Sequence, residues 1–147
     1  MPVLKKSAMA GKPHPNPGTL HHIEIYVSDL ECSVAFWEWL LVGEFGYERF
    51  QQWDHGISFK QDDTYLVFVQ TDPAFLDIDY HRKRTGLNHL AFWAESRNRV
   101  DELTEKLRVR DVHILYEDTH PYAGGPDHYA VFCEDPDGIK VEIVARE

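Results

Sequence analysis

Leu20-His21-His22-Ile23-Glu24-Ile25-Tyr26-Val27-Ser28-Asp29-Leu30 sets the frame for the whole chain. From Leu20 to Val27 the side chains alternate in the manner of a half-buried strand, one face apolar and one polar. Asp29 then stands where a helix N-cap belongs. Leu30, Val34, Trp37 and Leu41 recur at helical spacing, and Gly43 and Gly46 stop the run. The pattern returns 67 residues later: His22 maps onto His89, Asp29 onto Ser96, Phe36 onto Leu103 and Leu40 onto Leu107. A shared register of strand, cap and helix stripe argues for an internal duplication.

The remaining elements fit the repeat. Tyr47–Gln52, Gly56–Lys60 and Thr64–Gln70 read as strands separated by Asp54-His55 and Asp62-Asp63 turns. In the second half Leu87–Ala94 reads as a strand, and Val100, Leu103 and Leu107 as a helix stripe. His113–Tyr116, His128–Cys133 and Ile139–Ala145 read as strands, the last two joined through Asp135-Pro136-Asp137-Gly138. The expected fold is α+β, with two tandem β-α-β-β-β modules forming a curved, partly open mixed sheet around a metal cleft. Module one spans 20–70, a linker 71–86, and module two 87–147. Residues 1–19, with four prolines and two glycines, read as a flexible tail.

The net charge of −10 speaks against a nucleic-acid surface. The basic run His81-Arg82-Lys83-Arg84 precedes Thr85-Gly86 and reads as solvated linker, with a phosphate or carboxylate contact as the other reading. No stretch is apolar and long enough to span a bilayer, and no apolar run follows Lys5-Lys6 as in a secretory signal. Cys32 and Cys133 form neither a metal motif nor a disulfide framework; both read as small apolar core residues. A cytoplasmic location is the expectation.

His22, His89 and Glu142 each fall in the middle of an alternating apolar run. An ionisable side chain at such a position is costly to bury without a partner. Two imidazoles and a carboxylate suit a divalent metal with open positions for substrate, and Fe, Mn, Ni, Co or Zn would each serve. The rival reading is a pair of core histidines satisfied by backbone groups and an incidental glutamate.

Glu24 shares the parity of His22 and is a candidate general base; a slip of register would instead turn it to solvent. His128 shares the parity of Ala130 and Phe132, as a substrate or acid/base contact in one reading and a surface histidine beside Asp127 in the other. Trp93 has the parity of His89. With Phe68 and Phe132 it is a candidate wall of an apolar substrate pocket. The loop Asp118–Pro126, with Gly124-Gly125, reads either as a lid or as an ordinary connection.

Three pieces in order resemble the vicinal oxygen chelate superfamily of glyoxalase, bleomycin-resistance and extradiol dioxygenase proteins. They are His22 seven residues before Asp29-Leu30, the strand Gly86-Leu87-Asn88-His89-Leu90-Ala91-Phe92, and Asp135-Pro136-Asp137-Gly138 leading to Glu142. The resemblance covers Leu20 to the C-terminus and puts the family's metal ligands on His22, His89 and Glu142. Many members add a fourth ligand from the last strand of the first half; that place falls here on Val67 or Phe68, and neither binds metal. The extradiol enzymes carry a tyrosine where this chain has Phe132. The resemblance implies a metal-dependent enzyme of lyase, isomerase or epimerase type, with Glu24 or Glu142 moving a proton on a small substrate that chelates through two oxygens. An extradiol-type ring-cleaving dioxygenase and a bleomycin-resistance-like binding protein are the alternatives. Small members of the family often pair, so a homodimer is also implied.

Overall fold

The computed structural model describes residues 13–147. Residues 1–12 of the expected tail lie outside the described residues, and 13–20 are exposed. In chain order the elements are β1 (His22–Val27), α1 (Leu30–Glu38), β2 (Glu48–Trp53), β3 (Gly56–Gln61) and β4 (Thr64–Gln70). After the linker come β5 (His89–Ala94), α2 (Arg97–Val109), β6 (Ile114–Leu115), β7 (Ala130–Glu134) and β8 (Lys140–Ala145).

Both helices start at the expected caps. Asp29 accepts a hydrogen bond from the Cys32 amide, and Ser96 accepts one from Arg99, satisfying donors that the first turn leaves unpaired. The first helix does not run on to Leu41 in α form. From Trp39 to Glu44 it widens into a π-turn that ends on Phe45, and Gly46 follows at φ 78°. The wider turn still buries Leu40 and Leu41 completely.

The duplication is exact in topology. The first sheet has the order β1-β4-β3-β2 and the second β5-β8-β7-β6. In each, the first strand lies parallel to the last and only that neighbour flanks it, so β1 and β5 are edge strands. The two tandem β-α-β-β-β modules are present as expected, each forming its own open four-stranded mixed sheet.

One face of each sheet packs on helix. Ile25 and Val27 of β1, Leu66 and Phe68 of β4, and Val141 and Ile143 of β8 join Phe36, Trp37, Leu103 and Leu107 in one core. Trp37 is fully buried, stacked on Phe68 at 5.0 Å and 6.2 Å from Phe92 of the second module. Its indole N–H donates to Asp135 Oδ2 at 3.0 Å. Covering a side chain of that size is worth about 3 kcal/mol or more, so this residue ties the modules together. Asp137 adds bonds from the Ser28 amide and hydroxyl, and Glu44 takes Arg99 at 3.2 Å and Lys106 at 2.9 Å.

Cys133 is buried as expected, but Cys32 is exposed. It sits in the first turn of α1, where its thiol falls beside the Asp29 cap and outside the apolar stripe. In the basic run, Arg82 pairs with Glu134 at 3.0 Å and Arg84 donates to the Asp79 carbonyl at 2.6 Å. No helix among the described residues is long and apolar enough to cross a membrane.

Candidate functional site

Strand parity sends His22, Glu24 and Tyr26 to the face of the first sheet opposite the helix, and His89, Ala91 and Trp93 to the corresponding face of the second. The parallel registers are equivalent. His22 lies opposite Tyr65 and Glu24 opposite Val67; His89 lies opposite Lys140 and Ala91 opposite Glu142. The position of Glu142 in the second module is therefore that of Val67 in the first.

The second sheet carries the denser cluster. Nε2 of His89 is 3.3 Å from Oε1 of Glu142, and Nε2 of His128 is 2.5 Å from Oε2. Glu142 is 6% exposed, with one carboxylate oxygen facing each imidazole. Nδ1 of His89 lies 2.8 Å from the Asn88 side-chain oxygen, which orients the ring. His128 is seated by the loop before it: a Cβ on Gly124 would lie 2.4 Å from Cδ2 of the His128 ring, so only glycine allows that approach. A cavity of about 470 Å³ opens over this cluster, bounded by Ala91, Trp93, Asp127, His128, Glu142 and Arg146.

His22 lies on the other sheet. Its ring stacks on Tyr65 at 4.7 Å and 6° between planes, and its Nδ1 is 2.9 Å from Nδ1 of His21. Glu24 is exposed beside it, facing a cavity of about 380 Å³ with Tyr26, Tyr80, His81 and Arg84. Two metal donors set at about 2.1 Å in adjacent positions stand roughly 3 Å apart, so the His89–Glu142 pair has the spacing of two ligands. Among the described residues no group of three or more His, Cys, Asp or Glu is arranged to hold a metal ion.

Trp93 stands 62% exposed on the predicted face with the Arg146 guanidinium 5.0 Å from its ring centre. Phe132 is opposite Glu142 in register and closes a small apolar cluster with Leu115 and Ala130. Phe68 departs from the expected pocket wall: it is 1% exposed and points into the helical core against Trp37 and Phe59, because it has the opposite parity to Val67 and Tyr65. The loop after β6 is held by turn bonds from Thr119 and His120 to the Tyr116 carbonyl and by Ala130 N–H to the Pro121 carbonyl.

Sequence reading passed over Lys140 and Tyr116. Lys140 has the parity of Glu142, a signal that was available; Tyr116 reaches the same face through a loop, which no periodicity reveals.

Residues 19–143 match the model of the Glyoxalase/Bleomycin resistance protein/Dioxygenase superfamily. The chain belongs to that superfamily. As a member it is 60% identical over 126 residues to the uncharacterized protein YqjT of Bacillus subtilis, which spans 86% of this chain and 98% of that one. A crystal structure from Bacillus halodurans, named only provisionally as a glyoxalase, matches with a TM-score of 0.86 at 66% identity, over 88% of this chain and 96% of its own. A lactoylglutathione lyase from Agrobacterium tumefaciens shares the fold at a TM-score of 0.63 and 22% identity, over 90% and 96% of the two chains. Superfamily membership carries small-molecule binding and, in many members, a divalent metal.

Proposed function

We propose that the chain is a metal-dependent glyoxalase-type enzyme, a lyase, isomerase or epimerase acting on a small substrate that chelates through two oxygens. The observation that carries this reading is the facing pair His89 Nε2 and Glu142 Oε1, 3.3 Å apart on a sheet face that opens into a cavity. His89 and Glu142 would hold the metal, with His22 as third donor. Since His22 lies on the separate first sheet, and both histidines sit on edge strands, a second copy is the source we favour for it. The metal would polarise a substrate carbonyl as a Lewis acid.

The side chains supply the rest. Glu24 shares the His22 face and is available to take a proton from carbon and return it to the neighbouring atom. Glu142 is the alternative base, and His128 at its second oxygen would set its orientation. Val67 at the position equivalent to Glu142 leaves the first module without a carboxylate on β4; Glu24, next to it in register, is the nearest replacement. Trp93 and Phe132 would bound the substrate, and His128 would touch it.

The test is turnover. Protein reconstituted with Mn, Co, Ni or Zn is incubated with small 2-oxo and 2-hydroxy compounds, and proton exchange at the carbon next to the carbonyl is followed by NMR. Exchange that needs metal and is lost in Glu24→Gln or Glu142→Gln supports the reading. Oxygen consumption with catechols and Fe(II) would move it to the dioxygenase branch, and ligand binding indifferent to metal and to His89→Ala would make the protein a binder.

A further inference from the structure

Among the described residues Arg49, Arg82, Arg99, Lys106 and Arg108 lie against carboxylates. Arg82 is on Glu134, Lys106 and Arg99 on Glu44, and Arg108 on Glu117. Lys140 is not among them. It stands on the site face two residues before Glu142 and opposite His89 in the parallel register. Its cross-strand neighbour Glu134 is engaged by Arg82 at 3.0 Å. Among the described residues Lys140 has no carboxylate within ion-pair distance. Its Nζ lies 3.3 Å from the Tyr116 hydroxyl, 5.5 Å from the Tyr116 ring centre and 5.8 Å from that of Phe132.

Ring faces attract an ammonium without neutralising it, so the charge stays available to a ligand. The box is built rather than incidental. Tyr116 holds a left-handed backbone at φ 58°, unfavourable for a side chain with a Cβ by about 1 kcal/mol. The Thr119 and His120 amides donate hydrogen bonds to its carbonyl and fix that conformation, and its ring packs edge-on against Phe132 at 5.4 Å.

We propose that Lys140, boxed by Tyr116 and Phe132, is an anion subsite beside His89 and Glu142, and that the substrate carries a carboxylate. This rests on the reading of that face as the substrate site and narrows it to 2-oxo or 2-hydroxy acids. Lys140 takes one carboxylate oxygen, and the Tyr116 hydroxyl is placed to donate to the other.

The probe is oxalate, with the neutral diamide oxamide as control, titrated calorimetrically into wild type, Lys140→Met and Lys140→Arg, with and without Mn(II). Methionine keeps the apolar stem, so a lysine that merely covers the sheet would not register the change. Oxalate affinity should fall about tenfold in Lys140→Met, some 1.4 kcal/mol, and return in Lys140→Arg. Oxamide and Mn(II) affinities should hold. Should thermal melts show Lys140→Met unfolded, Lys140→Gln takes its place. Equal oxalate affinity in wild type and the neutral variants, or no oxalate binding by wild type, overturns the proposal. A wild type that binds oxalate through Lys140 but takes up no Mn(II) sustains it and refutes the metal reading instead; Mn(II) uptake with an indifferent Lys140 does the reverse.

Discussion

Val67 and Glu142 occupy equivalent positions, each on the last strand of its module and each opposite the third residue of the parallel first strand. Both are buried, at 4% and 6% exposure. Only one carries a carboxylate. The duplicated frame therefore offers a carboxylate on the second sheet and an apolar surface on the first, and any cation centre must draw its groups from the two sheets unequally.

That asymmetry predicts complementation. On the proposed reading of a site shared between copies, His22→Ala and Glu142→Ala chains break different halves of it. Co-expressed and purified as a mixed dimer, they should hold about one metal ion per dimer, since a two-fold pair then retains one intact site. Each variant alone should hold almost none. A mixed dimer as empty as its parents would mean that His22 does not act across copies.

Gly124 gives a second prediction. An alanine Cβ there meets the His128 ring at 2.4 Å, so the ring must leave Glu142. Loss of a partner that orients a metal ligand commonly costs 10–100-fold in affinity, and Gly124→Ala should weaken metal binding by about that factor. Competition against a chromogenic chelator measures it. Because the loop is at the surface, the melting temperature should change little.

Asp135 predicts a pH dependence of stability. Burial pushes its carboxyl up to about 6, against the opposing bonds from the Ile139 and Asp137 amides and the Trp37 indole. The folded chain thus holds this proton more tightly than the unfolded one. The resulting stabilisation is complete below the ordinary carboxylate range and disappears as pH rises to about 6. A shift of about two units corresponds to roughly 2–3 kcal/mol. Urea unfolding of wild type should lose about that much more stability between pH 4 and pH 6.5 than Asp135→Asn does; parallel curves would assign the effect elsewhere.

The two cysteines should separate kinetically. Cys32 is exposed, whereas Cys133 is buried with its thiol pushed up to about 12 by desolvation. An aromatic disulfide reagent should label one thiol quickly and the second slower by on the order of a hundredfold or more, through opening of the core. Equal rates would contradict the burial of Cys133.

Much of this was legible in the sequence because strand parity and helix caps are local. The offset linking His22 to His89, the caps at Asp29 and Ser96, and the shared face of His89, Trp93 and Glu142 all follow from spacing. Phe68 went astray by one residue of register, which reverses a strand side chain. Cys32 did so because cap and stripe compete in a first turn. The seat of His128 on Glu142 and the Tyr116 hydroxyl on Lys140 depend on a loop crossing the sheet. Whether the two sheets join within one chain is a matter of packing between modules, on which alternation along a strand is silent.

The account rests on a cation at His89 and Glu142, and elemental analysis after reconstitution tests it most directly. Wild type should retain about one divalent ion per chain through gel filtration, and Glu142→Ala should lose it while keeping its fold by circular dichroism. A wild type that emerges without stoichiometric metal, or a Glu142→Ala protein that keeps its full complement, would contradict the claim.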